Sequence, residues 1–239
     1  MENVTAQVNE SVLNHIGNTP LQALDVRYRG RTYRVYAKLE FMNPSGSIKD
    51  RIAKYMIEQS ERKGVLKPGY TIVEATSGNT GIAFSMVAAA KGYHMLVVMP
   101  EHMTGERIKI MANLGAKICL TPREQGFEGA VARATKIAES GKGYFATKQF
   151  SNNDNTMAHY HTTGKEIVRQ MNGGIDAFVA GVGTGGTLMG VDRALREVNP
   201  RVGLYAVEPA EAAVLSGSKT VADHKIAGIG TGSFQRFSK

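Results

Sequence analysis

The chain has 239 residues and a formal net charge of +8, and 42% of its residues are hydrophobic. This length can bury the core of one large or two small domains, and the composition is that of an ordinary globular protein. The single cysteine, Cys119, excludes a disulfide framework and a thiolate metal cluster and indicates a reducing compartment. Lysine and arginine are spread along the whole chain, so we interpret the charge as a basic surface and expect no nucleic-acid partner.

The start of the chain and its longest apolar stretch predict neither export nor membrane insertion. Residues 1–11 are polar and include Glu2 and Glu10, which is unlike the basic and apolar regions of a signal peptide. Residues 81–90 are too few to cross a bilayer, and they contain Ser85. We therefore expect a cytoplasmic protein without a membrane segment.

From residue 33 onward, strand-like apolar runs alternate with helical patterns. Alternating apolar residues predict a half-buried strand at 33–39, and a helical period predicts a helix at 48–59 that stops at Gly64. Further strands are predicted at 71–74, 95–99, 117–120, 144–147, 175–180 and 203–207. Further helices are predicted at 81–90, 106–114, 127–140, 156–171 and 187–198. Such alternation with short connections predicts an α/β protein with parallel strands, whose ligands bind at loops after the carboxyl ends of strands.

A glycine-rich loop at 181–187, with the sequence Gly-Val-Gly-Thr-Gly-Gly-Thr, follows a predicted strand and opens a predicted helix. It matches G-x-G-x-x-G, and Glu208 lies about 20 positions beyond it, which is the outline of a dinucleotide fingerprint. Glycines allow close backbone approach, and free N–H groups at a helix N-terminus bind anions. We interpret the loop as a phosphate cradle in preference to a ligand-free turn, and at this point the cofactor that carries the phosphate stays open.

A lysine, Lys49, stands in the first turn of the helix predicted after the Pro-Ser-Gly segment at 44–46. A cation there opposes the helix dipole, unless the amine is neutral or covalently used. A solvated lysine beside Asp50 is the simpler alternative. A Schiff-base lysine accounts for the position better, because such a lysine works by losing its charge and attacking an aldehyde, and a nicotinamide enzyme has no comparable use for it.

A third loop, Thr-Ser-Gly-Asn-Thr-Gly at 76–81, lies between a predicted strand and an apolar helix. Its hydroxyls and backbone N–H groups at a helix N-terminus suit a carboxylate, and Asn79 can donate to a phenolic oxygen. A well-capped turn without a ligand would use the same residue types. Three loops of this kind together with Lys49 favour a ligand site.

The three segments at 44–51, 76–81 and 183–187 resemble the signatures of the cysteine synthase family, which are fold-type II pyridoxal-phosphate enzymes. Five further segments agree with that family in order along the chain, and they lie at 16–21, 149–150, 162–167, 207–210 and 224–230. The resemblance runs from about Val12 to Gly230. It implies two three-layer α/β domains with parallel-rich sheets, similar to the tryptophan synthase β subunit, with the cofactor between them. The smaller domain would be 43–152 and the larger would combine 1–42 with 153–239.

The resemblance also implies a role for each matching residue. Lys49 would bind pyridoxal 5′-phosphate as a Schiff base and move the α-proton, and Asn79 would hydrogen-bond the 3′ oxygen of the cofactor. The cofactor phosphate would be held by Gly183, Thr184, Gly185, Gly186 and Thr187. The substrate α-carboxylate would be received by Thr76, Ser77, Asn79, Thr80 and Gln149. Gly228 would lie in a loop lining the site.

The activity implied by the resemblance is β-replacement, in which cysteine forms from O-acetylserine and sulfide through an aminoacrylate intermediate. Cystathionine β-synthase, or a related β-replacement or β-elimination enzyme, is the close alternative. A catalytically weak or non-catalytic binding protein of the same fold is the alternative from another class. The resemblance further implies a homodimer and an interaction with the C-terminal tail of serine acetyltransferase.

The chain departs from the family pattern in two places. Residues 151–155, Ser-Asn-Asn-Asp-Asn, stand where the family usually has prolines, so we expect a looser loop there. Family members also continue beyond the position of Lys239, and that tail carries a serine that hydrogen-bonds the pyridine nitrogen. By comparison with the family we therefore expect that a C-terminal part is missing, either because this sequence does not include it or because the protein is a shortened relative.

Other candidate residues receive structural interpretations. His159 and His161 form a His-x-His pair without further ligands at a metal-binding spacing, so we expect a helix-face or surface role and no metal site. Cys119 falls in a predicted buried strand, which indicates a core thiol and no nucleophile.

Overall fold

The computed structural model describes residues 11–76, 78–103, 105–218 and 224–230. Within them the strands are β1 (Leu21–Tyr28), β2 (Arg31–Lys38), β3 (Thr71–Ala75), β4 (His94–Pro100), β5 (Lys117–Thr121), β6 (Tyr144–Ala146), β7 (Ala177–Gly181) and β8 (Gly203–Val207). The α-helices are α1 (Lys49–Arg62), α2 (Asn79–Lys91), α3 (Gly105–Asn113), α4 (Gly126–Glu139), α5 (Asp154–His159), α6 (Lys165–Gln170) and α7 (Gly186–Arg196). The predicted alternation of strands and helices is confirmed.

The central sheet has four parallel strands in the order β5-β4-β3-β6. Successive residues of its strands point to opposite faces, so that Ile72 and Val97 join a core with α1 and α2, whereas Val73 and Val98 pack with α4. Helices therefore cover both faces, which is the layering that a parallel sheet requires. Its carboxyl ends lead into the loop at 76–78 and the segment that contains Gln149.

In the second parallel pair, β7 and β8, Phe178 of β7 packs in a core with residues of α6 and α7. Helix α5 packs against both α1 and α7, and so links this pair to the helix that carries Lys49. The close contact with α7 depends on Gly190, because a Cβ there would lie 2.3 Å from the Thr156 carbonyl oxygen.

Strand β2 is confirmed, but the expectation of a half-buried strand is wrong. Tyr33 and Val35 are 46% and 43% exposed. In the part of the chain that the structure describes, β2 pairs only with the antiparallel β1 and joins neither of the other sheets. The two strands meet at Arg29 and Gly30, whose φ angles of 49° and 76° are those of a tight hairpin turn.

The helix predicted at 156–171 is interrupted. A π-helical turn, Tyr160–Gly164, separates α5 from α6. At the end of this turn a Cβ on Gly164 would lie 2.6 Å from the Ala194 Cβ, so the glycine allows the turn to approach α7. Turns of this kind often occur near functional sites. No helix in the described ranges has the length and apolar character needed to cross a membrane.

Candidate active site

A cavity of about 600 Å³ brings the loops of the central sheet and the loop before α7 together. The predicted site residues that line it are Lys49, Thr76, Asn79, Thr80, Gln149, Gly183, Thr184, Gly185, Thr187 and Gly228. Gly186 is buried behind the lining, and Ser77 lies outside the described residues. Segments separated by more than a hundred positions in the sequence thus share one cavity.

Lys49 is the first residue of α1, as the sequence predicted, and it is half-buried at the cavity wall. Burial lowers the pKa of its amine from the usual value for lysine. Asp50 does not serve as a solvated partner, because it is fully buried and accepts a hydrogen bond of 2.7 Å from the Ser45 backbone N–H. The amine is therefore prepared for nucleophilic chemistry and not for a surface ion pair.

Arg51, two residues further along α1, holds the start of this helix in place. Its guanidinium is fully buried and donates to Glu40 at 2.6 and 2.8 Å and to Glu166 at 2.7 and 2.8 Å. Lys38 donates to the same Glu166 carboxylate at 2.7 Å. Burial raises the pKa of Glu166, but the hydrogen bonds from Arg51 and Lys38 outweigh it and lower that pKa to about 2. This network ties the helix that carries Lys49 to the strand hairpin and to α6.

The loop from Gly181 to Gly186 joins β7 to α7 and has the features of an anion cradle. Gly185 has a φ of 86°, which favours glycine, and a Cβ on Gly183 would lie 2.5 Å from the Gly228 carbonyl oxygen. The backbone N–H groups at the start of α7 and the hydroxyls of Thr184 and Thr187 supply donors. Gly183 therefore allows the segment at Gly228 to approach the loop, and the N–H groups and hydroxyls of the loop fit a phosphate.

Two residues behind this cradle support the site, and the sequence did not predict this role for either of them. Asn155 is 1% exposed and its Nδ2 donates to the Gln149 carbonyl and to Thr184 Oγ1, both at 2.9 Å. Its Oδ1 would lie 2.1 Å from a Cβ on Gly186, which explains that glycine. The expected loose loop at 151–155 is thus replaced by a helix start that joins the phosphate loop to Gln149.

His159 is the second supporting residue, and the structure separates it from His161. It is 1% exposed, its Nδ1 lies 2.9 Å from Thr163 Oγ1, and its Nε2 lies 3.2 Å from Thr187 Oγ1. Burial, followed by the charges of Lys49 and Arg51, lowers the pKa of His159 well below its usual value. His159 is therefore a neutral support for Thr187, and not a surface residue.

His161 stacks on Tyr55, with ring centroids 5.8 Å apart, and so has the helix-face role that was expected. In the described ranges, no group of three or more His, Cys, Asp or Glu side chains could hold a metal ion. Cys119 lies on β5 and is half-buried, packed at the edge of the core beneath α4, so it is less enclosed than predicted.

The loop after β3 provides the polar wall opposite the cradle. The Gly78 N–H donates to Thr76 Oγ1 at 3.3 Å, and α2 begins at Asn79. Thr80 Oγ1 donates to Gln149 Oε1 at 3.0 Å. An amide, hydroxyls and a helix N-terminus thus meet at one side of the cavity, and this combination suits a carboxylate.

The structure also argues against a dinucleotide site at the glycine-rich loop. Glu208, which a nicotinamide site would need for a ribose, instead accepts hydrogen bonds from the backbone N–H groups of Leu215 and Ser216, each at 2.8 Å. That interpretation also leaves Lys49 without a use. An enclosed lysine amine and a phosphate cradle in one cavity define the class of pyridoxal-phosphate enzymes.

Comparison with known families agrees with this class. Residues 12–238 match the family described as "Pyridoxal-phosphate dependent enzyme", and the chain belongs to this family. It is 46% identical over 224 residues to a cysteine synthase of Staphylococcus aureus, an alignment covering 93% of this chain and 72% of that protein. The resemblance to the cysteine synthases and the pyridoxal-phosphate cofactor that it implied are confirmed.

Solved structures give the same result. A cysteine synthase of Entamoeba histolytica superposes with a TM-score of 0.89 at 38% identity, over 100% of this chain and 72% of that one. An O-acetylserine dependent cystathionine β-synthase of Helicobacter pylori gives a TM-score of 0.86 at 36% identity, over 99% of this chain and 75% of that one. The fold-type II α/β architecture is therefore confirmed.

Proposed function

We propose that this chain catalyses β-replacement on O-acetylserine, with sulfide as the nucleophile and cysteine as the product. The observation that carries the proposal is that one cavity is lined by Lys49, by four residues of the phosphate cradle and by the polar residues after β3, namely Gly183, Thr184, Gly185, Thr187, Thr76, Asn79 and Thr80. The similarity to cysteine synthases supports the same reaction.

The residues of the cavity divide into cofactor and substrate roles. Pyridoxal phosphate, when bound, supplies the electron sink that makes the α-proton of an amino acid acidic. Lys49 would hold it covalently and, once displaced, take the α-proton and later return it, for which the lowered pKa of its amine is suited. Asn79 would bind the 3′ oxygen, and Gly183, Thr184, Gly185, Gly186 and Thr187 would hold the phosphate.

The substrate carboxylate would be held by the polar wall of the cavity. We assign this role to Thr76, Ser77, Asn79, Thr80 and Gln149. Gly228 would border the same space, since its carbonyl already lies against Gly183. The described residues of this set, Thr76, Asn79, Thr80 and Gln149, line the cavity, and their donors support the orientation of an amino acid for proton removal.

A second candidate function uses an organic thiol as the nucleophile in place of sulfide, as in cystathionine synthesis. Met103, Phe127, Phe150 and Ile229 give the cavity an apolar side, and the two phenylalanine rings pack edge to face with centroids 6.1 Å apart. Such a wall suits the methylene groups of homocysteine. The name of the Helicobacter pylori neighbour supports this candidate.

One assay separates these candidates. Acetate release is measured for O-acetylserine, sulfide release for cysteine and consumption of the amino acid for serine, and the product formed from O-acetylserine is identified after adding either sulfide or homocysteine. We expect acetate release from O-acetylserine and cysteine formation with sulfide at the higher kcat/KM. A higher kcat/KM with homocysteine would favour cystathionine synthesis, and no acetate release from the cofactor-loaded protein would contradict both.

Thr76→Val should weaken amino-acid binding without releasing the cofactor. The loss of a hydrogen bond to a charged carboxylate costs roughly 1.5–3 kcal/mol, or about 10- to 150-fold in affinity. The measurement is an absorbance titration of the cofactor-loaded variant with L-serine. Thr121→Val is the matched control, because Thr121 is equally buried but lies outside the cavity. Equal serine affinity in the wild type and Thr76→Val would remove Thr76 from the carboxylate site.

The wider setting of the enzyme is also a proposal. We assign 43–152 to a smaller domain and the remainder to a larger one, and the four-stranded sheet falls entirely within the first range. We further propose a cytoplasmic homodimer that binds the C-terminal tail of serine acetyltransferase in its cavity. The single cysteine supports a reducing compartment.

A further inference from the structure

A carboxyl group, that of Glu74, is buried under the polar wall of the cavity. Glu74 is the fourth residue of β3 and is 4% exposed. By the alternation of the strand it shares a sheet face with Ile72, which packs in the core beneath α1 and α2. A buried carboxyl group is costly in the interior of a sheet, so its contacts indicate what it does there.

Glu74 makes its hydrogen bonds with one residue, Gln149. Gln149 Nε2 donates to Glu74 Oε1 at 3.0 Å. The other oxygen, Oε2, is buried without a hydrogen-bond partner among the described residues. Glu74 Oε1 therefore accepts a hydrogen bond from Gln149, and Gln149 is one of the residues proposed above to bind the substrate carboxylate.

The orientation of the Gln149 amide matters for that role, because only its nitrogen can donate to a carboxylate. Thr80 Oγ1 lies 3.0 Å from Gln149 Oε1, but a hydroxyl can donate or accept and does not by itself select an orientation. Glu74 selects it as long as Oε1 is an acceptor, which holds when the carboxyl is charged or carries its proton on Oε2, since a flipped amide would then place oxygen against oxygen. The second N–H of Nε2 is then the free donor of a side chain that lines the cavity.

We propose that Glu74 is a positioning residue, which fixes the Gln149 amide so that its nitrogen faces the substrate α-carboxylate. This inference rests on the proposed function of the cavity and deepens it. Glu74 does not line the cavity and acts only through Gln149.

The charge of Glu74 makes this role depend on pH. Burial raises the pKa of Glu74 to about 8, and the hydrogen bonds from Gln149 lower it less than burial raises it. The neighbouring elements β4, β6, α1, α2 and α4 carry described ionisable groups that do not shift this pKa, namely His94, Tyr144, Lys49, Asp50, Arg51, Lys54, Tyr55, Glu58, Glu61, Arg62, Lys91, Glu128, Arg133, Lys136 and Glu139. At pH 7 the carboxyl is mostly neutral, and above pH 8 its negative charge would repel the substrate carboxylate through the amide.

The test uses two variants of the cofactor-loaded full chain. Glu74→Gln keeps a carbonyl acceptor and is neutral at every pH, whereas Glu74→Leu removes the acceptor. The dissociation constant of L-serine is measured by absorbance titration from pH 7 to pH 9.5, and cofactor content and thermal midpoint are measured alongside. The serine amino group and Lys49 titrate in both the wild type and Glu74→Gln. The ratio of the two dissociation constants therefore reports only the effect of the Glu74 charge.

We expect Glu74→Gln to bind serine within about threefold of the wild type at pH 7, and Glu74→Leu to bind it roughly tenfold or more weakly at full cofactor content. Between pH 7 and pH 9.5 the wild type should lose affinity several-fold relative to Glu74→Gln. A constant ratio of the wild-type and Glu74→Gln dissociation constants across this range would overturn the proposal. This comparison does not need Glu74→Leu, so it remains a valid test if Glu74→Leu does not fold. The failure of the proposed function would appear separately, as wild-type protein that binds serine but releases no acetate from O-acetylserine.

Discussion

Lys49→Ala should abolish turnover and remove the visible absorbance of a lysine-bound cofactor, with the fold retained. Lys49 supplies both the covalent attachment and the base at the cavity wall, so we expect a loss of at least about 10³-fold in kcat. The measurements are acetate release from O-acetylserine, the absorbance spectrum after dialysis, and the mass of the chain after borohydride reduction. Circular dichroism should match the wild type, because the amine makes no hydrogen bond or ion pair that the described structure records.

The matched control is Lys54→Ala on the same helix. Lys54 donates to the Leu13 carbonyl oxygen at 3.0 Å and does not line the cavity, so this variant should keep its absorbance and most of its activity. A Lys49→Ala protein that still becomes covalently linked to the cofactor by borohydride would show that another lysine is the attachment point. The site assignment would then be wrong.

Much of the fold and site was predictable because local patterns carry it. The 3.6-residue and two-residue periods located the helices and strands, and glycines such as Gly92, with a φ of 74°, marked the helix ends. The three loops follow β2, β3 and β7, which belong to three different sheets, so their meeting in one cavity was implied by the family resemblance and not by a shared sheet edge. Lys49 was identified by its conflict with the helix dipole, and such local conflicts often mark functional residues.

The residues that support the site could not be predicted, since their roles depend on tertiary contacts. Asn155 joins Gln149 to Thr184, and these two residues are 35 positions apart in the sequence and lie in different loops. His159 was interpreted as a helix-face or surface residue because its partner, Thr187, belongs to another helix, α7. The only local signal for Glu74 was a charged residue within an apolar strand, and the exposure of β2 followed from its pairing and not from its alternation.

The raised pKa of Glu74 also predicts how the stability of the fold depends on pH. A carboxyl group with a pKa raised to about 8 in the folded state binds its proton more tightly than in the unfolded chain. Its contribution is therefore fully present below about pH 4.5 and is lost as the pH rises toward 8. In Glu74→Gln this decline should be absent, so the free energy of unfolding of the variant should improve relative to the wild type between these pH values.

Arg51→Met should destabilise the fold by about 3–5 kcal/mol, because it leaves the buried carboxylates of Glu40 and Glu166 without their main partner. Urea unfolding at pH 7 measures this loss. Arg34→Met is the matched control, since the ion pair of Arg34 with Asp25 is exposed and should contribute little to stability. A loss in Arg51→Met no greater than in the control would mean that the network does not stabilise the start of α1.

The same variant should show a distinctive pH dependence. In the wild type the pKa of Glu166 is lowered to about 2, so its stabilisation is present above about pH 4.5 and is lost only as the pH falls toward 2. Without Arg51, burial of Glu166 opposes the charged form and raises its pKa, although Lys38 still contacts it at 2.7 Å. The difference in unfolding free energy between wild type and variant should therefore be largest at pH 7 and should narrow as the pH falls to 4. A difference that stays constant over this range would show that Arg51 stabilises the fold by packing and not through the charge of Glu166.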